Sequence, residues 1–432
     1  MSLLTSMSSG TTGLASASAE LAVISDNIAN ANTVGFKAGR AAFEDALAQS
    51  VVGGLGQVGL GSRLQAVQRI LSQGALSNTG VTSDLALQGQ GFFLVRGTAS
   101  DGRVGNYLTR NGQFTVDRDG YMVNLDGLRV QGYPADATGA ISATVGDLLV
   151  GNASSQAQPT QDVTIHGNLD ADAVVPAAWD PADPSGTSNF STSVTVYDSL
   201  GRSHAVQVYF RHSTAVPSAW EWHAMTDGAA MTGGTAGTPW QVAAGTMTFD
   251  ASGRLDTFTQ DAAANNFVPI GAAPQALAFD FGDPVASGGT GLAGFSQFSG
   301  SSVTTFVGQD GWTSGMLTGI QIDKTGLIQG VFTNGQMRPL GQVGVALVPA
   351  SDQLERIGGN LYGETNSSGQ PVLGVAGQGG RAFLASGALE QSNVDIAEQF
   401  VRMIAAQRAF EANSKSITTA DQLLSELIAM KR

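Results

Sequence analysis

Residues 391–432, QSNVDIAEQFVRMIAAQRAFEANSKSITTADQLLSELIAMKR, contain no Gly and no Pro in a chain that carries 57 Gly. A Ser or Asn followed by an acid, as in Ser392-Asn393-Val394-Asp395, is a helix-start signal. Apolar residues then recur at Phe400, Met403, Phe410, Ile417, Leu424 and Ile428, in steps of three, four or seven, and Val401, Ile404 and Leu427 widen the stripe. That is helical periodicity close to a heptad. Five basic and five acidic residues balance, and Lys431 and Arg432 suit the negative end of a helix dipole. A helix of ~37 residues would run roughly 55 Å, too long to be covered by one small domain without a partner helix.

The partner expected is at the other chain end. Leu14, Ala17, Leu21, Ile24 and Ile28 follow 3-4-3-4 spacing, with Leu4 and Met7 one to two turns earlier. Two amphipathic terminal helices around a long Gly-rich middle predict a coiled-coil core with the rest of the chain inserted. The competing expectation is that each helix packs on its own globular body.

At 432 residues the chain is long enough for two to four domains, and its 42% hydrophobic content suffices for packed cores. Only 13% of residues are charged and the net charge is -14, which argues against nucleic acid or an anionic membrane as partner. The absence of Cys excludes disulfides, thiol catalysis and Cys-zinc sites. Residues 1–10 lack the basic and apolar regions of a cleavable signal peptide, and no apolar run is long enough to span a bilayer.

After the first helix comes Asn27-Ile28-Ala29-Asn30-Ala31-Asn32-Thr33-Val34-Gly35-Phe36-Lys37. Asn and Gly at this density end a helix, because both tolerate left-handed backbone and Asn side chains bond nearby backbone groups. This motif, with Asn27, Asn30, Asn32, Thr33, Gly35, Phe36 and Lys37 as its defining positions, resembles the signature of the bacterial flagellar hook and rod proteins. Leu389-Glu390-Gln391-Ser392-Asn393-Val394-Asp395 and the stretch from Met403 to Asn413 are similar to that family's other end. A looser likeness covers about 55–135 and 310–390.

Between the helices, Ala42 to Val51 reads as a short helix. Gly54-Leu55-Gly56-Gln57-Val58-Gly59 matches a dinucleotide fingerprint without the strand and capped helix that motif needs, and reads as a connector. From residue 86 the pattern is β. Asn111-Gly112, Asp119-Gly120 and Asp126-Gly127 mark tight turns between apolar runs. Asp117 and Asp119 lack the Glu and flanking helices of a calcium loop. Residues 193–198 and 205–210 alternate as a hairpin, Trp220, Trp222, Met247 and Phe249 mark further strands, and 286–302 reads as a return linker. Strands at 316–322, 326–333 and 341–348 are expected to complete the sheet begun at 86.

The expected fold is therefore α+β and mostly β. Residues 1–30 and 391–432 form a helical coiled-coil core, and 31–85 and 376–390 a connector. Residues 86–155 and 300–375 make an inner β-domain, and 156–299 an outer one, both antiparallel and barrel- or sandwich-like. Chemistry is sparse. His166, His204, His212 and His223 have no ligand-spaced partners, there is no nucleophile elbow or phosphate loop, and Asp280 and Asp283 sit in a turn setting. No catalytic residue, cofactor or metal is expected. The resemblance implies a structural hook subunit that polymerises into a helical tube and acts as a universal joint for motor torque. Its core helices would pack through Leu14, Leu21, Ile24, Ile28, Phe400, Val401, Ile404, Phe410, Ile417, Leu424 and Ile428. It also implies export by the flagellar type III route, and rod, hook–filament junction and hook-cap proteins and the export apparatus as partners. It implies no nucleic acid partner and no membrane insertion, and without Cys there is no cysteine-dependent crosslink between subunits. A rod or hook-associated axial protein, and a surface adhesin or enzyme anchored by its helices, are the rival readings.

Overall fold

The computed structural model describes residues 3–47, 59–100, 102–213, 218–262 and 267–430. The side chains of residues 3–5, 47, 59, 427 and 428 are not part of that description, so Leu4, Leu427, Ile428 and the Gly54–Gly59 motif lie outside the described residues. Helix α1 is Leu3–Ala29 and helix α2 is Ile396–Met430, and nearly all regular structure between them is strand. The cap of α2 is Asp395, not Ser392 or Asn393. Its carboxylate accepts the amides of Ala397 (2.9 Å) and Glu398 (3.2 Å).

The helices pack antiparallel, with Gly10 against Ile417, Gly13 against Asn413, and Asn27 bonded to Gln399. Small residues form this seam. A Cβ on Gly10 would lie 2.8 Å from Ile417 Cγ1, and one on Gly13 would lie 2.7 Å from Asn413 Nδ2. Ala17, Ile24, Gln399, Ala406 and Ala420 are buried along it. The large apolar side chains do something else. Phe400, Val401, Ile404 and Phe410 are exposed, while Leu14, Leu21, Ile28, Ile417 and Leu424 are half-buried.

The helix expected from Ala42 is a strand, β1 (Gly39–Leu47), paired antiparallel with β2 (Gly59–Arg69) in the register Ala42↔Ala66 and Asp45↔Ser62. Tertiary context overrides the helical propensity of its Ala, Glu and Leu. The hairpin lies along α1: Thr12 Oγ1 donates to the Leu60 carbonyl (3.2 Å), and the Ser16 and Ser62 hydroxyls are 2.9 Å apart. Gly61 has φ +100, and a Cβ there would fall 1.9 Å from Thr12 Oγ1, so this approach requires Gly.

The chain divides into two compact units: unit 1 of residues 1–153, 318–331 and 337–432, and unit 2 of residues 154–317 and 332–336. In unit 1, Phe92–Thr98 pairs with Val104–Thr109, Arg129–Pro134 and Met337–Leu347, so strands from before and after unit 2 share one antiparallel sheet. Unit 2 holds a five-stranded antiparallel sheet running Phe190–Tyr197, Ser203–His212, Ala219–Asp227, Pro239–Phe249, Leu255–Gln260. Its second sheet centres on Asp162–Asp170, parallel to Ala278–Asp280 and Phe295–Phe298 and antiparallel to Val303–Gln309. Val163, Ile165 and Leu169 from one sheet and Phe210, Trp220 and Trp222 from the other form a single buried core. The stretch expected as a linker at 286–302 thus contributes a strand.

One turn recurs six times among the described residues. Asp117, Asn124, Asp136, Asp198, Asp250 and Asp323 each stand three residues before a Gly with positive φ, and each side chain accepts the amides two and four residues on. The Asp-Gly dipeptides at 119 and 126 mark these turns, but the residue that shapes them stands two positions earlier. At Asp198 burial alone would raise the carboxyl pKa, yet the Arg202 and Leu200 amides and the His204 and Arg202 side chains hold it below the ordinary range. Because its folded pKa is depressed, its contribution to stability is present above about pH 4 and fades as pH falls through the lower folded value. We expect Asp198→Asn to keep the turn, as Asn124 does, and to flatten the acid side of the unit 2 stability profile. Asp198→Ala should cost about 1–3 kcal/mol at neutral pH. Urea unfolding followed by Trp fluorescence at pH 3 to 7 measures both.

Candidate functional site

The defining motif and the C-terminal segment meet at one place in unit 1, where both helices join the β-body. Gly35 takes φ +70, its amide donates to the Glu390 carbonyl (2.7 Å), and a Cβ would sit 2.7 Å from the Arg110 backbone. Two residues on, Lys37 Nζ donates to Glu390 Oε1 (2.6 Å) and to the Ser72 carbonyl (2.7 Å). The Arg110 guanidinium donates to Glu390 Oε2 (3.2 Å) and to the Gly89 carbonyl (2.8 Å), and the Gly74 amide donates to Glu390 Oε1 (2.9 Å). The side chains of Lys37 and Glu390 are wholly buried and that of Arg110 is nearly so. Burial pushes the Lys37 ammonium and the Arg110 guanidinium down from their ordinary pKa values, and Glu390 opposes that shift in both. Two cations therefore share one carboxylate in a buried site.

Asn side chains tie the flanks. Asn27 bridges to Gly39 in both directions, accepting its amide and donating to its carbonyl (2.8 Å each), and donates to Gln399 Oε1 (3.1 Å). Asn393 accepts the Ala38 amide (2.8 Å) and donates to the carbonyls of Ile70 (2.7 Å) and Ser72 (3.1 Å). Asn30 closes the end of α1 by donating to the Asp26 carbonyl (2.9 Å) and accepting the Thr33 hydroxyl (3.2 Å). Phe36 is buried beneath the Arg356 guanidinium, which pairs with Asp26 (2.6 Å), and Asn360 donates to the Val34 carbonyl (3.0 Å). Asn32 is exposed.

The structure thus gathers Asn27, Asn30, Thr33, Gly35, Phe36 and Lys37 and adds Glu390, Arg110, Asn393, Gln399, Arg356 and Asn360. The sequence signal at Glu390 was its place in the C-terminal segment similar to the family's other end, since a Glu is exposed by default. Arg110, 280 residues away from it, had none. The four His are engaged inside unit 2. His166 lies 5.4 Å from the Phe306 ring, His204 Nε2 is 3.2 Å from Asp198, His212 Nδ1 is 3.0 Å from the Ala173 carbonyl, and His223 stacks on Trp179 at 3.9 Å. A concavity of about 720 Å³ in unit 2, lined by Pro159, Gln161, Asp162, Ser199, Gln260 and Gln275 among others, brings one carboxylate, that of Asp162, among the described residues. Among the described residues no cluster of three or more His, Asp or Glu could hold a metal, and no helix is long and apolar enough to cross a membrane.

Four family models match the chain. Residues 7–37 match the flagella basal body rod protein, 86–171 the flagellar hook protein FlgE/F/G D1 domain, 168–312 the flagellar basal body protein FlaE D2 domain, and 385–430 the flagellar basal body rod FlgEFG protein C-terminal region. The flagellar hook protein FlgE of Treponema pallidum is 31% identical, with 100% of both chains covered. Those of Borreliella burgdorferi (32%; 99% of this chain, 100% of the relative) and Escherichia coli K12 (33%; 98% and 99%) are similar. The chain belongs to the flagellar hook protein family. It is a structural subunit of the bacterial flagellar hook, and the hook of the flagellum is its place. The junction lies at the edges of two of these matches, with Lys37 ending the N-terminal one and Glu390 near the start of the C-terminal one.

The charge count makes a prediction. Removing Glu390 leaves two buried cations without a counter-charge, whereas removing Lys37 leaves a neutral Arg110–Glu390 pair. We expect Glu390→Gln to destabilise unit 1 by about 3–5 kcal/mol. Lys37→Met should cost less, about 1–3 kcal/mol. Denaturant titration of the two variants checks the order as well as the size.

Proposed function

We propose that copies of this chain stack into a helical tube in which α1 and α2 form an inner coiled-coil core, with the two β-units outside it as nested domains. The observation that carries this reading is the exposed apolar stripe of α2. Phe400, Val401, Ile404 and Phe410 stand in solvent on a helix whose seam with α1 runs instead through Gly10, Gly13, Ala17, Ile24, Ala406 and Ala420. A patch of this kind is costly in a lone soluble chain and ordinary in an interface. The seam holds the two helices of one copy together, and the half-buried Leu14, Leu21, Ile28, Ile417 and Leu424 complete the packing as neighbouring copies close over the stripe. The tube serves as a flexible joint that carries torque from rod to filament. It joins the rod at one end and the hook–filament junction at the other, grows under a hook cap, and receives its subunits through the flagellar export apparatus.

Ile404 separates this from helices that merely cover their own domain. It is 52% exposed in the single chain, so Ile404→Asp should leave the melting of the monomer within about 0.5 kcal/mol of the parent. In a tube every copy would bury an unpaired carboxylate, at several kcal/mol each, and polymerisation should fail. Electron microscopy of polymerised material, alongside calorimetry of the monomer, reads both outcomes. Normal tubes from the variant, or a monomer that melts many degrees lower, count against the proposal.

A further inference from the structure

A cavity of about 330 Å³ lies beside the junction in unit 1, with Arg110 in its wall. Leu71, Phe92, Leu347 and Val348 give it apolar sides, and Phe92, Leu71 and Val348 also belong to the buried cluster around Leu108 and Ala346. Its polar groups are few. The Arg110 side chain is 4% exposed, and its guanidinium carbon lies 5.4 Å from the Phe92 ring centroid. Ser72, Gln90 and Ser351 are the other polar residues of the wall. The Ser72 hydroxyl accepts the Asn393 amide (3.1 Å), which leaves its own proton to donate. Among the described residues no Asp or Glu lines the cavity.

The Arg110 cation is only half matched. Glu390 brings one negative charge, and Lys37 Nζ holds it at 2.6 Å against 3.2 Å for Arg110 Nη1. A guanidinium offers five N–H donors and keeps its charge in any folded protein. Here Nη1 meets Glu390, Nη2 meets the Gly89 carbonyl, and Nε has no partner. We infer that the cavity binds a small monocarboxylate with a short apolar tail, its head on Arg110 and Ser72 and its tail along Leu71, Leu347 and Val348. The head carries a single charge, because Lys37 and Arg110 exceed Glu390 by one. A phosphate dianion would overshoot and leave excess charge against apolar walls. A carboxylate also accepts the parallel N–H groups of a guanidinium, the strongest pairing such a cation makes. The tail is short, because the volume is at the small end of ligand sites. Occupancy would tighten the junction, since a ligand that binds only the folded unit stabilises it.

Hexanoate is the probe, with acetate, hexanol and inorganic phosphate as controls, on the full-length chain at constant ionic strength. Titration calorimetry should show saturable hexanoate binding at about 1 mM, the strength open to so small a ligand. Acetate should bind roughly tenfold more weakly or worse, having no tail to bury. Hexanol and phosphate should not bind, and hexanoate should raise the unfolding midpoint of unit 1 while leaving that of unit 2 in place. Ser351→Trp, at the half-buried rim, fills the cavity without touching the ion pairs, and Arg110→Gln removes the partner of the head group. Each should weaken hexanoate by about tenfold or more. If Arg110→Gln does not fold, Ser351→Trp decides alone. No saturable binding, hexanol or phosphate binding as well as hexanoate, or unchanged hexanoate binding in Ser351→Trp overturns the inference.

Discussion

A single buried carboxylate fastens the two ends of this chain. Glu390 sits between Lys37 and Arg110, and its own backbone carbonyl takes the Gly35 amide. A buried ion pair rarely adds net stability, because desolvating the charges offsets their attraction, but a half-made one is heavily penalised. That asymmetry gives the junction its role. The segment after α1 can bury Lys37 only when residue 390 is in place, and the strand before α2 can bury Glu390 only when the motif is in place. Partners 353 residues apart in sequence therefore fold together or not at all. The Asn side chains extend the same logic to backbone groups. Asn27 acts as one more strand partner for Gly39, and Asn393 joins the start of α2 to residues 38, 70 and 72.

From that anchor the helices leave as an antiparallel pair, and the distribution of side-chain size along them separates two tasks. Gly10, Gly13, Ala17, Ala406 and Ala420 allow close backbone approach within one copy. Phe400, Val401, Ile404 and Phe410 remain free for contacts outside it.

The helices and the strand-rich middle were legible because their periods are long and unbroken, as at Phe400 to Leu424, or cleanly alternating, as at Val194 to Phe210. The motif was legible as a resemblance, but its physics was not. Nothing in Asn27 or Lys37 states that the partners are Gln399 and Glu390. On α2 the sequence marks which residues are apolar and not which of them the single chain covers: Phe400, Val401, Ile404 and Phe410 are exposed there. Residues 42–47 misled because Ala, Glu and Leu favour helix locally, while Thr12 and Ser16 on α1 offer hydrogen-bonding partners to an extended hairpin. The six Asp- or Asn-capped turns show the same limit on a smaller scale: the Gly is conspicuous, and the side chain that shapes the turn stands three residues earlier.

The central claim, that the chain ends are mutually dependent at Glu390, is tested most directly by hydrogen exchange with peptide resolution on the full-length chain and its Glu390→Gln variant. The account predicts that residues 27–39 and 389–395 lose protection together, by tenfold or more, while the strand at 205–210 in unit 2 exchanges as before. Unchanged protection in both segments, or loss confined to one of them, would contradict it.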